Sequence, residues 1–472
     1  MIKMFKLWLF NILIQLAVAQ QVPGQVSSTP SPSSTPGPST TQGPVSGKPT
    51  PRNETFKPNT EPAEIGTGAS GIELPLVNPN PKNEEKKVIE ALSNAMLDFS
   101  ERFYVELSKR ETGNFVFSPL SLHSALSLMA LGSTENSTTR TETLSALGGI
   151  TNTSRLMEAY RNILNNSDPD HLAYGNHIWV NNNVELQDKY KEKIKSLDAQ
   201  ISSLNMADQS SLNAVNDWVA KLTRNKIPQV LSDLPSETQV LITNALYIKE
   251  AWTLKFREAD KREFFRTNET KPIDVNMMER FGTHAAYGLF KFSNYENNSD
   301  FEMQVILPNE KIDLGLMEKY LDDSIYQSIN EKRGGGFRLF KSAKDTTRRN
   351  FAEVRIKMPK FNIETDIDAS QVLKKLNVKQ VFSAESELGE MVKSKNLKVD
   401  KVVHKALVNV DYEGTEGAAS TAINIVPLSA NFGDRVEFIA DRPFMFLVFD
   451  KVNNIPILVG RVVNPQQIAL IS

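Results

Sequence analysis

The segment Pro119–Gly132 has the composition of a helix with almost no polar face. Ser118 is a residue type that caps helices, and Pro119 suits the first helical position, where the missing amide hydrogen breaks no helical bond. The apolar run continues to Leu131 and stops at Gly132. A helix that is apolar nearly all round is buried in a folded protein. We therefore expect this helix to lie in the interior.

Other helix and strand patterns follow one another without regular alternation. Apolar residues spaced three or four positions apart predict an amphipathic helix, and they are Leu92, Met96, Phe99, Phe103 and Leu107. Residues 185–201 and 211–222 are also predicted to be helical. Strand patterns occupy 171–180, 239–247, 302–307, 351–357, 402–410, 435–439, 444–449 and 455–463. Because no internal repeat is visible either, we predict one large α+β domain with antiparallel or mixed sheets.

Residues 1–19 have the pattern of a secretory signal peptide. A positively charged start precedes an apolar core, and the small residues Ala17 and Ala19 form a cleavage site before Gln20. The alternative is a transmembrane anchor, but the apolar run is short and is interrupted by Asn11 and Gln15. We therefore predict a secreted, extracellular protein.

Residues 20–85 are rich in Pro, Ser, Thr, Gly and Gln, with almost no aromatic or branched apolar residues before Ile65. Such a segment cannot bury enough apolar surface to offset the entropy of ordering it. We predict that it is a disordered extension and that residues 86–472 form the folded domain.

The chain has no cysteine, which excludes disulfides, zinc–thiolate sites and a cysteine nucleophile. A secreted protein without disulfides needs a large core, which a domain of this length can supply. Asn-x-Ser/Thr triplets suit an extracellular glycoprotein. These triplets begin at Asn53, Asn136, Asn152, Asn165, Asn268 and Asn297.

Enzyme and cofactor motifs are missing from the sequence. There is no Gly-x-Ser-x-Gly, no His-Glu-x-x-His and no phosphate-binding loop with the required spacing. The five histidines (His123, His171, His177, His284 and His404) lack the spacing of metal ligands on one helix face. We therefore predict no catalytic residues, no metal and no cofactor.

Charge gives little indication of a partner. The formal net charge is −2, so we expect no binding to nucleic acid or to an anionic membrane. The basic runs 341–349 and 393–405 could contact a sulfated polysaccharide, although a solvated face is the favoured interpretation.

Residues 413–429 alternate like a strand, yet their first half is made of small residues. One face carries Thr415, Gly417, Ala419, Thr421, Ile423 and Ile425, and the other carries Glu416, Ala418, Ser420, Ala422 and Asn424. Gly, Ala, Ser and Thr bury too little surface to hold a strand in place. This segment is therefore expected to be able to form a strand without being one at rest.

Several motifs, in order along the chain, resemble those of the serpin family. The segment 438–448 (FIADRPFMFLV) resembles the C-terminal signature of the serpins. Further matches are 114–121 (NFVFSPLS), 244–252 (NALYIKEAW), 275–278 (VNMM), 359–361 (PKF), 460–462 (GRV), and His404 leading into Gly414, Thr415 and Glu416. The resemblance covers roughly residues 86–469, and coincidence does not explain so many ordered matches.

The resemblance implies a serpin fold, with three β-sheets, about eight or nine helices and an exposed reactive-centre loop. It also implies a suicide-substrate mechanism: a serine protease attacks the loop and forms an acyl-enzyme, and the cleaved loop then inserts into the central sheet. Counting from Gly414 in the manner of the family places the scissile bond at Leu428–Ser429. Leu428 suggests a chymotrypsin- or elastase-like target. We expect the mature protein to be a monomer that forms covalent complexes with its target protease and so regulates an extracellular proteolytic cascade.

Two groups of site residues follow from the resemblance. The loop hinge comprises Gly414, Thr415, Glu416, Gly417, Ala418, Ala419, Ser420, Thr421 and Ala422. The sheet-opening cluster comprises Ser118, Ser121, Asn244, Trp252 and His404. Tyr412 departs from the family, which usually has an acid there, and Gly417 replaces a usual alanine.

The alternative function is a non-inhibitory serpin that serves as a carrier, storage protein or chaperone. A hydrolase has no motif in its favour.

Overall fold

The computed structural model describes residues 81–150, 152–165, 170–195, 197, 199–252, 255–260, 263–266, 271–282, 289–291, 301–308, 313–330, 354–393, 397–414 and 436–466. The expected signal peptide, almost all of the extension, the basic run 341–349 and the loop residues 415–435 lie outside these residues. All described residues belong to one compact unit, Ser70–Ser472. None of the described helices is long and apolar enough to cross a membrane.

The described residues form eight α-helices, together with a short 3₁₀ helix at Gln380–Phe382. The α-helices are α1 (Pro81–Ser108), α2 (Pro119–Gly132), α3 (Thr138–Ala146), α4 (Thr153–Asn165), α5 (Asp188–Lys195), α6 (Gln209–Leu222), α7 (Leu314–Asn330) and α8 (Ala369–Lys375).

Sixteen strands are present in the same residues. They are β1 (Phe115–Phe117), β2 (Leu172–Asn181), β3 (Ala199–Leu204), β4 (Val240–Ile248), β5 (Arg257–Glu258), β6 (Glu263–Phe264), β7 (Ile273–Asp274), β8 (Met277–Gly282), β9 (Leu289–Lys291), β10 (Phe301–Ile306), β11 (Val354–Pro359), β12 (Phe361–Asp368), β13 (Lys401–Val410), β14 (Val436–Ile439), β15 (Phe444–Asp450) and β16 (Ile455–Val462).

These strands form three large sheets and a small one within the described residues. The central sheet has the order β12-β13-β4-β2-β3, with β13 parallel to β4 and β2 parallel to β3. A second sheet has the order β1-β16-β15-β10-β9, and a third β14-β11-β8-β5. Strands β6 and β7 pair by themselves. The predicted α+β class with mixed sheets is confirmed.

Helix α2 is buried along its whole length, as its composition predicted. It contacts β2 and β4 of the central sheet on one side and β16 of the second sheet on the other. The hydroxyl of Ser118 accepts a hydrogen bond from the Ser121 amide at 3.2 Å, so the predicted N-cap is confirmed. The amphipathic pattern of α1 is also confirmed, because its five spaced apolar side chains are all buried.

The opposite face of the central sheet is covered by α6. Val215 and Val219 of this helix pack with Trp179, Leu241 and Val403 from three strands of the sheet. Apolar side chains on both faces therefore hold the central strands between α2 and α6.

The prediction of a helix over 185–201 is wrong at its carboxyl end. Helix α5 ends at Lys195, and Ala199–Leu204 forms β3. The reason is long-range pairing, because β3 adds to the edge of β2 in a parallel register from Asn176 to Asn181. The backbone bonds that this edge offers outweigh a weak local preference for helix.

Candidate functional site

The two central strands, β4 and β13, are joined along only part of their length. Their parallel register runs from Lys401 opposite Leu241 to Ala406 opposite Leu246. Both strands continue beyond that point, β4 while paired with β2 and β13 while paired with β12. The central sheet therefore divides at the carboxyl ends of β4 and β13, and we call the space between these ends the gap.

The chain reverses direction where β13 ends beside the gap. The Asp411 amide donates to the Gly414 carbonyl at 2.9 Å, and one Asp411 carboxylate oxygen accepts from the Glu413 and Gly414 amides at 2.8 and 3.2 Å. A Cβ on Gly414 would lie 1.9 Å from the Glu250 carbonyl oxygen. No side chain fits there, so the close approach requires glycine.

Backbone hydrogen bonds from the segment after β4 hold this turn. The Trp252 amide donates to the Glu413 carbonyl at 2.8 Å, and the Phe256 amide donates to the Tyr412 carbonyl at 3.0 Å. The buried Trp252 indole also donates to the Asp411 carbonyl at 2.8 Å. Trp252 thus acts at the base of the loop, where its partners differ from those of the other predicted cluster residues.

Tyr412, where the serpin resemblance leads one to expect an acid, makes a different kind of charge contact. The Lys360 ammonium lies 4.2 Å from the centre of the Tyr412 ring. A cation over an aromatic face is attracted by the quadrupole of the ring. The neighbouring acid, Glu413, forms an ion pair with Lys255. The loop base therefore has a lysine contact at position 412 without a carboxylate there.

The other four predicted cluster residues come together beneath the paired part of β4 and β13. The Ser118 amide donates to Nε2 of His404 at 2.9 Å, so this nitrogen carries no proton. The other ring nitrogen, Nδ1, then donates to the Asn244 side-chain oxygen at 3.2 Å. The Asn244 amide group donates to the Ser121 carbonyl at 3.2 Å. His404 and Asn244, which face each other across the two strands, are thus tied to α2.

The polar network extends further than the sequence reasoning predicted. Asn244 also donates to the Asn176 side-chain oxygen at 2.7 Å, and Asn176 donates in turn to the hydroxyls of Ser124 and Tyr174. An asparagine in the middle of the buried β2 pattern was the signal that could have found it. The Ser121 hydroxyl is buried in the same place, and it has no hydrogen-bond partner among the described residues.

Burial keeps the histidines of this region neutral. Desolvation lowers the pKa of His404 from 6.5 to about 3. His123, on the same buried helix as Ser121, has its pKa lowered to about 3 for the same reason, and its ring contacts the Tyr160 hydroxyl. The pKa of His404 agrees with its hydrogen bonds, because an imidazolium could not accept from the Ser118 amide.

Comparison with known proteins identifies the family. Residues 94–465 match the family model for Serpin (serine protease inhibitor). The chain belongs to the serpin family. Serpins are generally protease inhibitors rather than catalysts, and the α+β fold described above is the serpin fold.

Three relatives illustrate the range of this likeness. Serpin-Z1C of Triticum aestivum is 31% identical over 385 residues, which are 76% of this chain and 91% of the relative. The native stressed conformation of Arabidopsis AtSerpin1 matches with a TM-score of 0.66 at 26% identity, covering 80% of this chain and 99% of that one. Human thyroxine-binding globulin complexed with thyroxine also gives a TM-score of 0.66, at 20% identity and with coverage of 80% and 100%, which shows the fold alone.

The remaining predicted sites are only partly described. Asn136 and Asn152 are exposed, Asn165 ends α4, and Asn53, Asn268 and Asn297 lie outside the described residues. In the basic run 393–405, three lysines pair with acids: Lys393 with Glu185, Lys398 with Asp400, and Lys405 with Glu364.

Across the described residues, no group of three or more potential ligands could hold a metal ion. Leu428, Ser429 and hinge residues 415–422 lie outside this part of the chain.

Proposed function

We propose that this serpin is a secreted, glycosylated inhibitor that traps an extracellular serine protease by inserting its cleaved loop between β4 and β13. The observation that carries the proposal is the gap: the sheet is already divided where the chain turns back at Gly414. Beyond Ala406 and Leu246 the two strands are not in register with each other, so a strand that enters there would lie between them. Main-chain hydrogen bonds would then provide the affinity, as in other strand additions.

The turn sets a register for the inserting strand. Asp411 faces Gly414, and continuing this antiparallel register would bring Thr415 opposite Val410 and Thr421 opposite His404. Alternate residues of β13 are buried on the side of α2, including Val410, Val408, Ala406, His404 and Val402. Residues opposite each other in an antiparallel pair share a face. The face of the loop that carries Thr415 and Thr421 would therefore be the buried one.

The chemistry belongs to the protease. Its serine oxygen attacks the carbonyl carbon of Leu428, the Leu428–Ser429 amide bond breaks, and the Ser429 nitrogen leaves with a proton from the protease. An ester then joins Leu428 to the protease. Fast insertion would carry this ester away before water hydrolyses it, whereas slow insertion would release cleaved inhibitor. The apolar Leu428 favours a chymotrypsin- or elastase-like protease.

The test is incubation with chymotrypsin and elastase, followed by denaturing gels. We expect an adduct that resists SDS. Thr415→Arg should abolish the adduct and give simple cleavage, because the arginine would enter the buried face. Glu416→Arg is the matched control: its register partner Asn409 is partly exposed, so inhibition should survive. Cleavage of the wild-type protein without any adduct by both proteases would favour the non-inhibitory alternative.

A further inference from the structure

The end of the β4–β13 pair that is far from the gap is closed by one side chain. A single carboxylate oxygen of Asp400 accepts hydrogen bonds from the Gln239 and Val240 amides at 2.7 and 3.2 Å. The Asp400 amide donates to the Val240 carbonyl at 3.0 Å. The second carboxylate oxygen pairs with the Lys398 ammonium at 3.1 Å. Asp400 therefore binds the residues at the start of β4 to the residue that precedes β13.

The proposed register brings the inserting strand to this contact. Residues 415–424 would lie along β13, with Asn424 opposite Lys401 at its first residue. The next residue, Ile425, would face Asp400. A strand of that length cannot pass between Asp400 and Val240 while their hydrogen bonds are intact, because each backbone position has one partner on that side.

Space is available beyond the contact. A cavity of about 610 Å³ lies beside Asp400, and its walls include Lys398, Lys401, Leu241 and Leu234. Residues that follow Ile425 would therefore meet an opening rather than a packed core. The hydrogen bonds of Asp400 are the last contacts between β4 and β13 that an inserting strand would meet before this opening, after the ladder from Ala406 to Lys401.

We propose that Asp400 is a positioning residue that sets the rate of the last stage of strand insertion by holding β4 against β13. The proposal rests on the insertion mechanism proposed above. Bonds that exist in the intact protein and must break during insertion add to its barrier, so their removal speeds this stage. Residues 415–423 can enter without breaking them, and only a longer strand needs their release.

Variants of Asp400 separate its two interactions. Asp400→Ala removes the two hydrogen bonds that the carboxylate accepts from the Gln239 and Val240 amides, and it removes the ion pair with Lys398. Asp400→Asn keeps an oxygen that can accept from both amides and loses only the charge, and Lys398→Ala removes only the ion pair. We expect the asparagine and Lys398 variants to resemble the wild type, and the alanine variant to differ.

The experiment measures insertion of synthetic peptides into the uncleaved full-length protein. One peptide has the sequence of residues 415–428 and the other that of residues 415–423. Insertion is followed by the rise in unfolding temperature as the sheet gains a strand. Asp400→Ala should speed insertion of the long peptide on the order of tenfold, which corresponds to a barrier change of about 1.4 kcal/mol, and leave the short peptide unchanged.

The outcomes are distinct. Equal acceleration of both peptides would mean that the variant merely loosens the sheet, and equal rates in wild type and Asp400→Ala would remove the role of Asp400; either result overturns the proposal but leaves insertion standing. If neither peptide enters any variant, the insertion mechanism itself fails. Hydrogen exchange of the Gln239 and Val240 amides provides a readout without peptide, and it should accelerate in Asp400→Ala and not in Asp400→Asn.

Discussion

Acid should weaken this protein through His404, whose imidazole is buried and neutral. Its pKa is about 3 in the folded protein, against about 6.5 when unfolded. Below about pH 6.5, His404 therefore binds a proton in the unfolded chain but stays neutral in the folded protein. The stability that depends on neutral His404 is complete above that pH, and it is lost as the pH falls from there towards about 3.

At a pH between the two pKa values, the magnitude follows from the interval between that pH and the unfolded pKa of about 6.5. At about pH 5 the unfolded histidine is protonated and the folded one is not, which costs about 2 kcal/mol at 1.36 kcal/mol per pH unit. His404→Gln lacks this cost, since glutamine does not titrate and still offers an acceptor to Ser118 and a donor to Asn244. The stability deficit of the variant should therefore be about 2 kcal/mol smaller at about pH 5 than at about pH 7.5.

Urea unfolding of both proteins at the two pH values measures this difference. The other buried histidines, such as His123, are present in both proteins, so their contributions cancel. Thr365→Val is a suitable control, because it removes a buried acceptor of the Val116 amide and contains no titrating group. Its deficit should not change with pH. A deficit of His404→Gln that is equal at both pH values would refute the assignment of a neutral, desolvated imidazole.

Two further substitutions test the ends of the site. Gly414→Ala places a methyl group 1.9 Å from the Glu250 carbonyl oxygen, so the turn must move and the bond from the Trp252 amide to Glu413 should break. We expect a loss of about 1–3 kcal/mol and faster hydrogen exchange at Trp252, and an unchanged Trp252 amide would contradict the close packing. Ser118→Ala removes the N-cap of α2 and should cost about 1 kcal/mol in urea unfolding, while the Ser118 amide keeps its bond to His404; no loss would mean that the cap is dispensable.

Local sequence patterns predicted the elements whose causes are local. Helix α2 is an example, because its cap, its first proline and its apolar circumference are all contained in Ser118–Gly132. Strand β3 is the opposite case, since only pairing with β2, more than twenty residues away in the chain, decides its conformation. Strand β12 was not predicted, although its burial alternates strictly from Phe361 to Asp368. The same period is present in the sequence, where Phe361, Ile363 and Ile367 alternate with polar residues.

The candidate site was predicted from family resemblance rather than from pattern. Ser118, Ser121, Asn244 and His404 do meet, but no spacing in the chain brings α2, β4 and β13 together. The contact of Lys360 with Tyr412 could not be predicted in this way, because it replaces the expected acid with an aromatic ring. The role of Asp400 could not be predicted from the sequence either, because it depends on which backbone amides lie opposite its carboxylate.

The unequal ends of the β4–β13 pair give a physical reason for the order of residues in the loop. Residues 415–418 would lie opposite 410–407, which are outside the β4–β13 register, so small side chains can enter there without displacing that ladder. From Ala419 onward each step would displace part of the ladder between Ala406 and Lys401. The larger apolar residues, Ile423 and Ile425, come only then, and burial of such side chains contributes about 1.5–3 kcal/mol each. Asp400 would lie opposite Ile425 in this register, so the release of its hydrogen bonds and the burial of the second isoleucine would fall at the same step.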